Sequence, residues 1–555
     1  MTIDASTLAR ALDAAACESS TLSRFLDDLD GWNGSDCDTG SNAALTLAAM
    51  ARTAARVKGS ASFAEGLEAV IAEGLSSASG HIGVLVTALL ASWAHELGAA
   101  EPSPVAVRRM LRAALTGPML EVSPSPAIAA CMATAGEAVA DLGDTLTGTP
   151  YLVSWYSMSI QEGLVGATDD RTGRIDPGAS VFAILFACLD AAVGGDSSVL
   201  ESLARMLSEL ADAQGRAPSP APPAPERAFA VDVLWRATRE DAKAHVAALT
   251  AMGARVSLVG VVDPFGVGTW RLHADTSAPL AVRPRGGALL RFQVADARPD
   301  EELGVDELDD EILTHRGVRL LERRPLRRVE RARVLACTRA PGLVEDLART
   351  GALVLLNPSG EDGAGIAALA RASSTRATLF VPCDEASAAL GGAVSEALSR
   401  QGDEEAAGTR VMVAGSRDDL SAFHVAHECA GSFVPQPGGA AVRDQMSQIL
   451  ADSARSALSA VRTQRIDGDT AGIAAAVSAL MSLEPKAWRL LLCRSDGPDL
   501  VALVRQILVH EGGERSMPGG AYGARQAMLD EPVEGPDLEV IDGGQDSGTL
   551  LQAVG

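Results

Sequence analysis

The stretch "QGRAPSPAPPAPER", residues 214–227, separates two regions of the chain whose hydrophobic patterns differ. Its prolines forbid a continuous helix and disfavour strand pairing, which predicts a stiff polyproline linker. Before it, apolar residues recur at helical spacing between Gly, Ser or Pro stops. Residues 1–213 are therefore predicted to form an all-α domain of about eight helices.

After the linker the pattern changes to short runs that alternate or are rich in β-branched residues. Residues 228–300 contain four such runs and a helical segment, which predicts a small α+β middle domain. Residues 331–555 alternate short buried strands with helices, which predicts an α/β C-terminal domain with a largely parallel sheet. Residues 301–330 form a charged connector between the two. A chain of 555 residues has room for roughly three such domains.

The net charge of −25 argues against nucleic acid and anionic membranes as partners, because both would add like charge at close range. The Arg-rich segment 316–334 is an exception, but it follows the acidic run 300–311. Mutual neutralisation on a solvated surface is a simpler interpretation of this pair than an anion or partner patch. We predict no nucleic-acid partner.

The cysteines and apolar segments favour a cytoplasmic protein. The eight cysteines are scattered without a CxxC pair, which is typical of reduced thiols in a cytosol. The N-terminal segment has neither a basic start nor a continuous apolar core, so no signal peptide is predicted. The candidate span at residues 81–97 is apolar for about a dozen residues where a span needs roughly 18, so no transmembrane segment is predicted.

The stretch "DGWNGSDCDTGSN", residues 30–42, combines three aspartates with a helix start. Carboxylates crowded in a turn suit Mg²⁺, which prefers oxygen ligands. The following "TGSN" places free backbone amides and the positive end of a helix dipole where they favour phosphate. The pattern fits a site for a Mg-nucleotide, and it equally fits an acidic, Gly-rich turn with a Ser or Asn cap. The candidate residues are Asp30, Asp36, Asp38, Thr39, Gly40, Ser41 and Asn42.

This stretch resembles the metal loop of the dihydroxyacetone kinase L-type nucleotide-binding domain. It is closer to the version in bacterial fatty acid kinase, which resembles "DGDTGTN" where this chain has "DCDTGSN" at 36–42. The resemblance implies that Asp30, Asp36 and Asp38 are the catalytic Mg²⁺ ligands and that residues 39–42 contact the phosphates of ATP. It also implies that the first domain is an antiparallel helical barrel.

Three further segments resemble this family in the same order along the chain. The segment "SSASGHIGVL", 76–85, resembles its phosphate turn, although a plain turn between helices is the alternative. The segment "GTPYLV", 148–153, lies where the family has a Gly-Thr contact, and "GRIDPGAS", 173–180, resembles the Asp-Pro-Gly turn that closes the nucleotide pocket. The residues implied by these three matches are Ser79, Gly80, Thr149, Asp176, Pro177 and Gly178.

The middle and C-terminal regions are similar to fatty acid kinase but depart from it at polar positions. The family has a zinc site of two His and a Cys in its middle domain. Here Arg271 replaces the first His and Ala230 replaces the Cys, which leaves His273. Since a single imidazole cannot hold a structural Zn²⁺, we predict no zinc there and an ordinary strand histidine. Cys383 and Asp384 replace two asparagines at a strand end, which predicts that partner or acyl-chain recognition is altered or lost while the fold is kept.

The resemblance implies a Mg-ATP-dependent kinase. It would phosphorylate a fatty acid carboxylate, presented by a separate acyl-binding protein, to give an acyl phosphate, and it would form a homodimer. A non-catalytic nucleotide-binding scaffold or regulator with the same fold is the first alternative. A glycerone kinase of the dihydroxyacetone type is the second, and it leaves the regions after the linker unexplained.

Overall fold

The chain is a mixed α/β protein with two compact units. Unit 1 comprises Met1–Phe292 and Asp296–Glu330, and unit 2 comprises Gln293–Ala295 and Arg331–Gly555. The computed structural model describes residues 3–30, 38–59, 62–98, 102–116, 120–122, 124–142, 148–168, 174–214, 227–297, 313–316, 318–320, 332–373, 375–400, 408–432, 442–466, 469–515, 537–546 and 548–555. Most of the predicted linker and connector, and residues Asp36 and Cys37, lie outside these ranges.

The first part of unit 1 is helical, as predicted. Several helices begin at side-chain caps: Ser62 and Glu65 form a capping box, and Asp176 caps a helix with Pro177 at its first position. The helices are α1 (Ala5–Asp30), α2 (Thr39–Val57), α3 (Phe63–Ser77), α4 (Gly80–Leu97), α5 (Pro104–Arg112), α6 (Pro126–Asp141), α7 (Thr149–Ala167), α8 (Pro177–Gly194) and α9 (Ser198–Gln214).

The prediction of an all-α region is wrong at one short strand, β1 (Leu120–Glu121). These two residues pair antiparallel with Val259 and Leu258, which lie far ahead in the sequence. A two-residue strand has no periodicity of its own, so the local pattern could not indicate it.

Helix α8 lies in the helical core of unit 1. Of the described helices, it is the one long and apolar enough to cross a membrane, yet 83% of it is buried inside the structure. It is apolar on all sides because it is surrounded by other helices rather than by solvent. This placement is consistent with a protein that does not span a membrane.

The second part of unit 1 is the predicted α+β region. Its strand order is β1-β3-β4-β2-β5, with β2, β3 and β4 paired antiparallel. Helix α4 lies against β3 and β4, which brings the start of that helix onto the sheet. The elements are β2 (Phe229–Thr238), α10 (Arg239–Ala251), β3 (Arg255–Val262), β4 (Val267–Thr276), β5 (Ala288–Asp296), β6 (Leu313–His315) and β7 (Val318–Leu320).

Unit 2 contains two sheets where one largely parallel sheet was predicted. In the first, β9-β8-β10-β11 are parallel, and residues Gln293 and Val294 pair antiparallel with β9 at its edge. The second has the order β12-β15-β13-β14, in which β15 is antiparallel to both neighbours. The prediction fails here because the last strand of the chain inserts between two earlier ones, a pairing that no local signal specifies.

The elements of unit 2 agree in type with the predicted alternation of strands and helices. The strands are β8 (Arg333–Thr338), β9 (Leu353–Leu356), β10 (Ala377–Val381), β11 (Arg410–Val413), β12 (Val461–Arg465), β13 (Ala487–Leu492), β14 (Leu538–Asp542) and β15 (Leu550–Val554). The helices are α11 (Val344–Arg349), α12 (Gly363–Arg371), α13 (Glu385–Arg400), α14 (Asp419–Ala430), α15 (Arg443–Ser459), α16 (Thr470–Leu480) and α17 (Pro498–Arg515).

Close packing of small residues in unit 1 can be tested on helix α7. A Cβ atom on Gly163 would lie 2.8 Å from the Cα atom of Cys131 on α6, whereas one on Gly166 would meet nothing within 4 Å. We expect Gly163→Ala to destabilise the protein by about 1–3 kcal/mol, because backbone must move. Gly166→Ala, the control on the same helix, should be neutral or stabilise it by up to about 1 kcal/mol. Urea denaturation of both variants checks this, and equal effects would contradict it.

Candidate functional site

Two carboxylates from the last turn of α1 hold the start of α2. The carboxylate of Asp30 accepts hydrogen bonds from the amide of Thr39 at 3.2 Å and from its hydroxyl at 2.6 Å. Asp27 Oδ1 accepts from the amides of Gly40 at 2.7 Å and Ser41 at 3.0 Å, and Asp27 Oδ2 accepts from the Ser41 hydroxyl at 2.6 Å. Both side chains are buried. Backbone amides at a helix N-terminus have no partner within the helix, and here they donate to carboxylates. The negative charge of these carboxylates also interacts favourably with the positive end of the helix dipole.

Sequence reasoning missed Asp27. The signal was present, because Asp27 and Asp30 are three residues apart and so lie on one face of α1. The backbone amides of residues 39–41 were predicted to contact phosphate. In this structure they donate to the carboxylates of Asp27 and Asp30 instead. A phosphate at this helix start would have to replace Asp27 at the amides of Gly40 and Ser41.

The predicted metal loop is described only in part. Asp38 occupies the N-cap position of α2, but the helix is capped by Asp27 and Asp30 rather than by the Asp38 side chain. Asp36 lies outside the described residues, so the prediction that it pairs with Asp38 around Mg²⁺ stays a prediction.

The structure joins two of the predicted motifs, which lie far apart in sequence. The Ser79 hydroxyl donates to Asn42 Oδ1 at 2.6 Å, and the Ser79 amide donates to the Thr46 hydroxyl at 3.1 Å. Gly80 has φ of +61°, and a Cβ atom there would lie 2.3 Å from Asn42 Nδ2. The turn before α4 therefore packs directly on the first turn of α2, where Asp27 and Asp30 bind.

The remaining predicted residues lie at two other helix starts. Thr149 is the first residue of α7 and is buried. Asp176 caps α8 by accepting from the amide of Ala179 at 2.7 Å, followed by Pro177 and by Gly178, which packs against Ile128. Within the described part of the chain, the hydrogen bonds of Asp176 stay in its own helix start and do not join it to Asn42 or Ser79.

A network of buried charges lies beneath the Ser79–Gly80 turn. Arg271 on β4 donates through Nη2 to the backbone carbonyl of Ala78 and pairs with Asp232 Oδ1 on β2 at 2.9 Å. Arg291 on β5 donates to the carbonyl of Ser76. The two guanidinium groups thus bind carbonyls at the end of α3, where the helix dipole is negative. They anchor the candidate phosphate turn to the sheet.

Two histidines complete this network. His273 Nδ1 lies 3.0 Å from Asp232 Oδ1, and His273 Nε2 lies 3.4 Å from Asp275 Oδ1. His81, at the start of α4, places Nε2 3.0 Å from Asp275 Oδ2 and Nδ1 2.8 Å from the hydroxyl of Ser257. His273 lies on strand β4, as predicted, and the structure adds partners that the sequence did not indicate. One of them, His81, comes from helix α4, which packs on the sheet.

The pKa values of the two histidines are shifted in opposite directions. Burial lowers the pKa of His81 to about 4, although Asp275 opposes this. Burial also acts to lower the pKa of His273, but the carboxylates of Asp232 and Asp275 outweigh it and raise that pKa to about 10. At neutral pH, with protons alone in the cluster, His273 is an imidazolium held between two aspartates and His81 is neutral.

Comparisons of the chain with protein-family models and with curated proteins found no match.

The contact between Gly80 and Asn42 is testable with a matched glycine. We expect Gly80→Ala to destabilise the protein and to displace Asn42, because the new methyl group meets Asn42 Nδ2 and the backbone has positive φ. Gly195 also has positive φ, +74°, but a Cβ atom there meets nothing within 4 Å. Gly195→Ala should carry only the backbone cost, about 1–2 kcal/mol. Thermal unfolding should show the larger loss for Gly80→Ala, and equal losses would contradict the contact.

The Arg271 anchor is testable by chemical denaturation. We expect Arg271→Met to cost about 3–5 kcal/mol, because it removes one charged partner of the buried Asp232 carboxylate and the donor to the carbonyl of Ala78. Arg255→Met is the control: Arg255 is 40% exposed and lies 4.0 Å from Asp275 Oδ2, so its loss should cost less than about 1 kcal/mol. A small effect of Arg271→Met would show that the anchor does not stabilise the fold.

Proposed function

We propose that this protein is a Mg-ATP-dependent phosphotransferase of the fatty acid kinase type. It would act in the cytoplasm on a fatty acid carboxylate presented by an acyl-binding partner protein and would give an acyl phosphate. Helices α1–α9 would form an antiparallel helical barrel around the nucleotide, and the protein would work as a homodimer. The observation that carries the proposal is the contact of Ser79 and Gly80 with Asn42 at the acidic start of α2.

The donor set at this start suits a hard cation. Carboxylate oxygens are the ligands that Mg²⁺ prefers, and Asp30 and Asp38 lie at the two ends of the segment that also contains Asp36. Asp30, Asp36 and Asp38 would hold the ion. When bound, Mg²⁺ would neutralise negative charge on the phosphate oxygens of ATP.

The residues of the chain would supply hydrogen bonds and position. The Ser79 hydroxyl, which donates to Asn42 Oδ1 at 2.6 Å, can rotate to donate to a phosphate oxygen instead. The amide group of Asn42 lies against Gly80, where a side chain would exclude it. The acceptor needs no general base, because a carboxylate is already ionised and nucleophilic at neutral pH. Catalysis would then depend on alignment and on charge stabilisation.

One observation favours the alternative of a non-catalytic nucleotide-binding scaffold or regulator. Asp27 already satisfies the amides of Gly40 and Ser41 without any phosphate. A kinase that uses these amides must release Asp27 when ATP binds. A scaffold could keep Asp27 in place and bind nucleotide through Ser79 and the metal alone.

The first test is calorimetric titration of Mg-ATP into the full chain. We expect wild type to bind one equivalent, and Asp36→Ala and Ser79→Ala to weaken binding about tenfold or more, which corresponds to about 1.4 kcal/mol. Asp469→Ala is the control, since Asp469 caps α16 in unit 2 by accepting from Gly472 and is not proposed to contact nucleotide. Failure of wild type to bind Mg-ATP would exclude both the kinase and the nucleotide-binding scaffold.

The second test separates the candidate activities. The full chain, Mg-ATP and fatty acids loaded on acyl-binding proteins should give acyl phosphate, which hydroxylamine traps as a hydroxamate. Binding of Mg-ATP without transfer to any fatty acid would favour the scaffold. Transfer to dihydroxyacetone rather than to a fatty acid would instead support the glycerone kinase alternative.

A further inference from the structure

We propose that His81, His273 and Asp275 form a zinc site that ties the start of helix α4 to strand β4. In the described part of the chain, these three residues are the one His/Cys/Asp/Glu group of three whose potential ligand atoms all lie within 4.8 Å of one another. The site is distinct from the proposed Mg-nucleotide site in both its residues and its ligand chemistry.

The distances within the cluster suit a small tetrahedral cation. His81 Nε2 lies 3.0 Å from Asp275 Oδ2, and His273 Nε2 lies 3.4 Å from Asp275 Oδ1. Zn²⁺ binds nitrogen and oxygen ligands at about 2.0–2.2 Å, so its tetrahedral ligand atoms lie roughly 3.3–3.6 Å apart. Each Nε2 atom thus faces one oxygen of the Asp275 carboxylate, and one potential ligand atom from each of the three residues lies within 4.8 Å of the other two. Small side-chain movements would bring them to ligating distance, and a water molecule would supply the fourth ligand.

The outer partners of both rings favour ligation. Histidines that bind zinc almost always donate their second ring N–H to a carboxylate or another acceptor, which fixes the ring orientation. Here Asp232 Oδ1 lies 3.0 Å from His273 Nδ1, and Ser257 Oγ lies 2.8 Å from His81 Nδ1. Each ring can therefore keep its proton at Nδ1 and offer Nε2 to the ion. His273, an imidazolium without the ion, would release its Nε2 proton to solvent when the ion binds.

Burial and ligand type also suit zinc. The side chains of His81, His273 and Asp275 are 11%, 5% and 13% exposed. Two imidazoles and one carboxylate form a ligand set of intermediate hardness that suits Zn²⁺, whereas Mg²⁺ and Ca²⁺ prefer oxygen ligands alone. Arg271 pairs at 2.9 Å with Asp232 Oδ1, the same oxygen that faces His273 Nδ1, so the carboxylate of Asp232 partly neutralises the Arg271 charge next to the cluster.

This set of ligands differs from that of the family that the sequence resembles, because Ala230 and Arg271 replace two of the three zinc ligands there. The expectation that the chain binds no zinc counted His273 as the available imidazole. The fold supplies a second one, His81, directly after Ser79 and Gly80. An ion here would hold that turn against the sheet, and its presence does not depend on nucleotide binding.

The experiment measures metal directly on the full chain. The protein is stripped with a chelator and then titrated with Zn²⁺ by calorimetry and with Co²⁺ by visible absorption. We expect one equivalent of each to bind, with the intense visible bands of tetrahedral Co²⁺, and Zn²⁺ to raise the melting temperature. His81→Ala and His273→Ala should lose this binding by a hundredfold or more. His95→Ala is the control, because His95 is an exposed histidine on the same helix α4.

Two further measurements decide the question if an alanine variant does not fold. Ser257→Ala removes only the outer partner of His81 and should weaken zinc binding about tenfold or more. X-ray absorption of the wild-type zinc protein should show nitrogen and oxygen ligands, including two imidazoles, without sulfur. Absence of a bound equivalent in wild type, a sulfur ligand, or unchanged binding in His81→Ala and His273→Ala would overturn the proposal.

Discussion

The arrangement of unit 1 depends on a small set of buried charges between the turn before α4 and the antiparallel sheet. Arg271 binds the carbonyl of Ala78 and the carboxylate of Asp232, and Asp232 in turn contacts His273. Charges buried at this depth are costly unless each has a partner. The network therefore requires α3, α4, β2 and β4 to meet in one arrangement. The candidate phosphate turn lies within that arrangement and is held by it.

The acidic start of α2 shows how one feature can serve either stability or binding. Asp27 and Asp30 satisfy the helix N-terminus in the same way that a phosphate would, through backbone amides and the helix dipole. Their carboxylate oxygens are also the ligand type that Mg²⁺ prefers. A Mg-nucleotide site and a carboxylate-capped helix start therefore share most of their chemistry, and nucleotide binding distinguishes them.

Prediction from sequence was most successful where the signal was local. The patterns at residues 228–237 and 268–276 predicted two strands, which the structure has at Phe229–Thr238 and Val267–Thr276. Prediction failed where the two strands of a pair are distant in the sequence. Strand β1 pairs with β3, and β15 inserts between β12 and β13, and neither pairing leaves a periodic trace.

The sequence by itself determined the types of most elements and the change from helices to strands across the Pro-rich stretch at 214–227, because each depends on neighbours along the chain. It suggested the candidate nucleotide-site residues through short motifs and their resemblance to one family. Only the tertiary structure decided that Asn42 contacts Ser79 and Gly80, and that Asp27 occupies the start of α2. It also decided that His81 lies beside His273 and Asp275. These contacts join residues from separate elements, and the packing of helices on the sheet sets their distances.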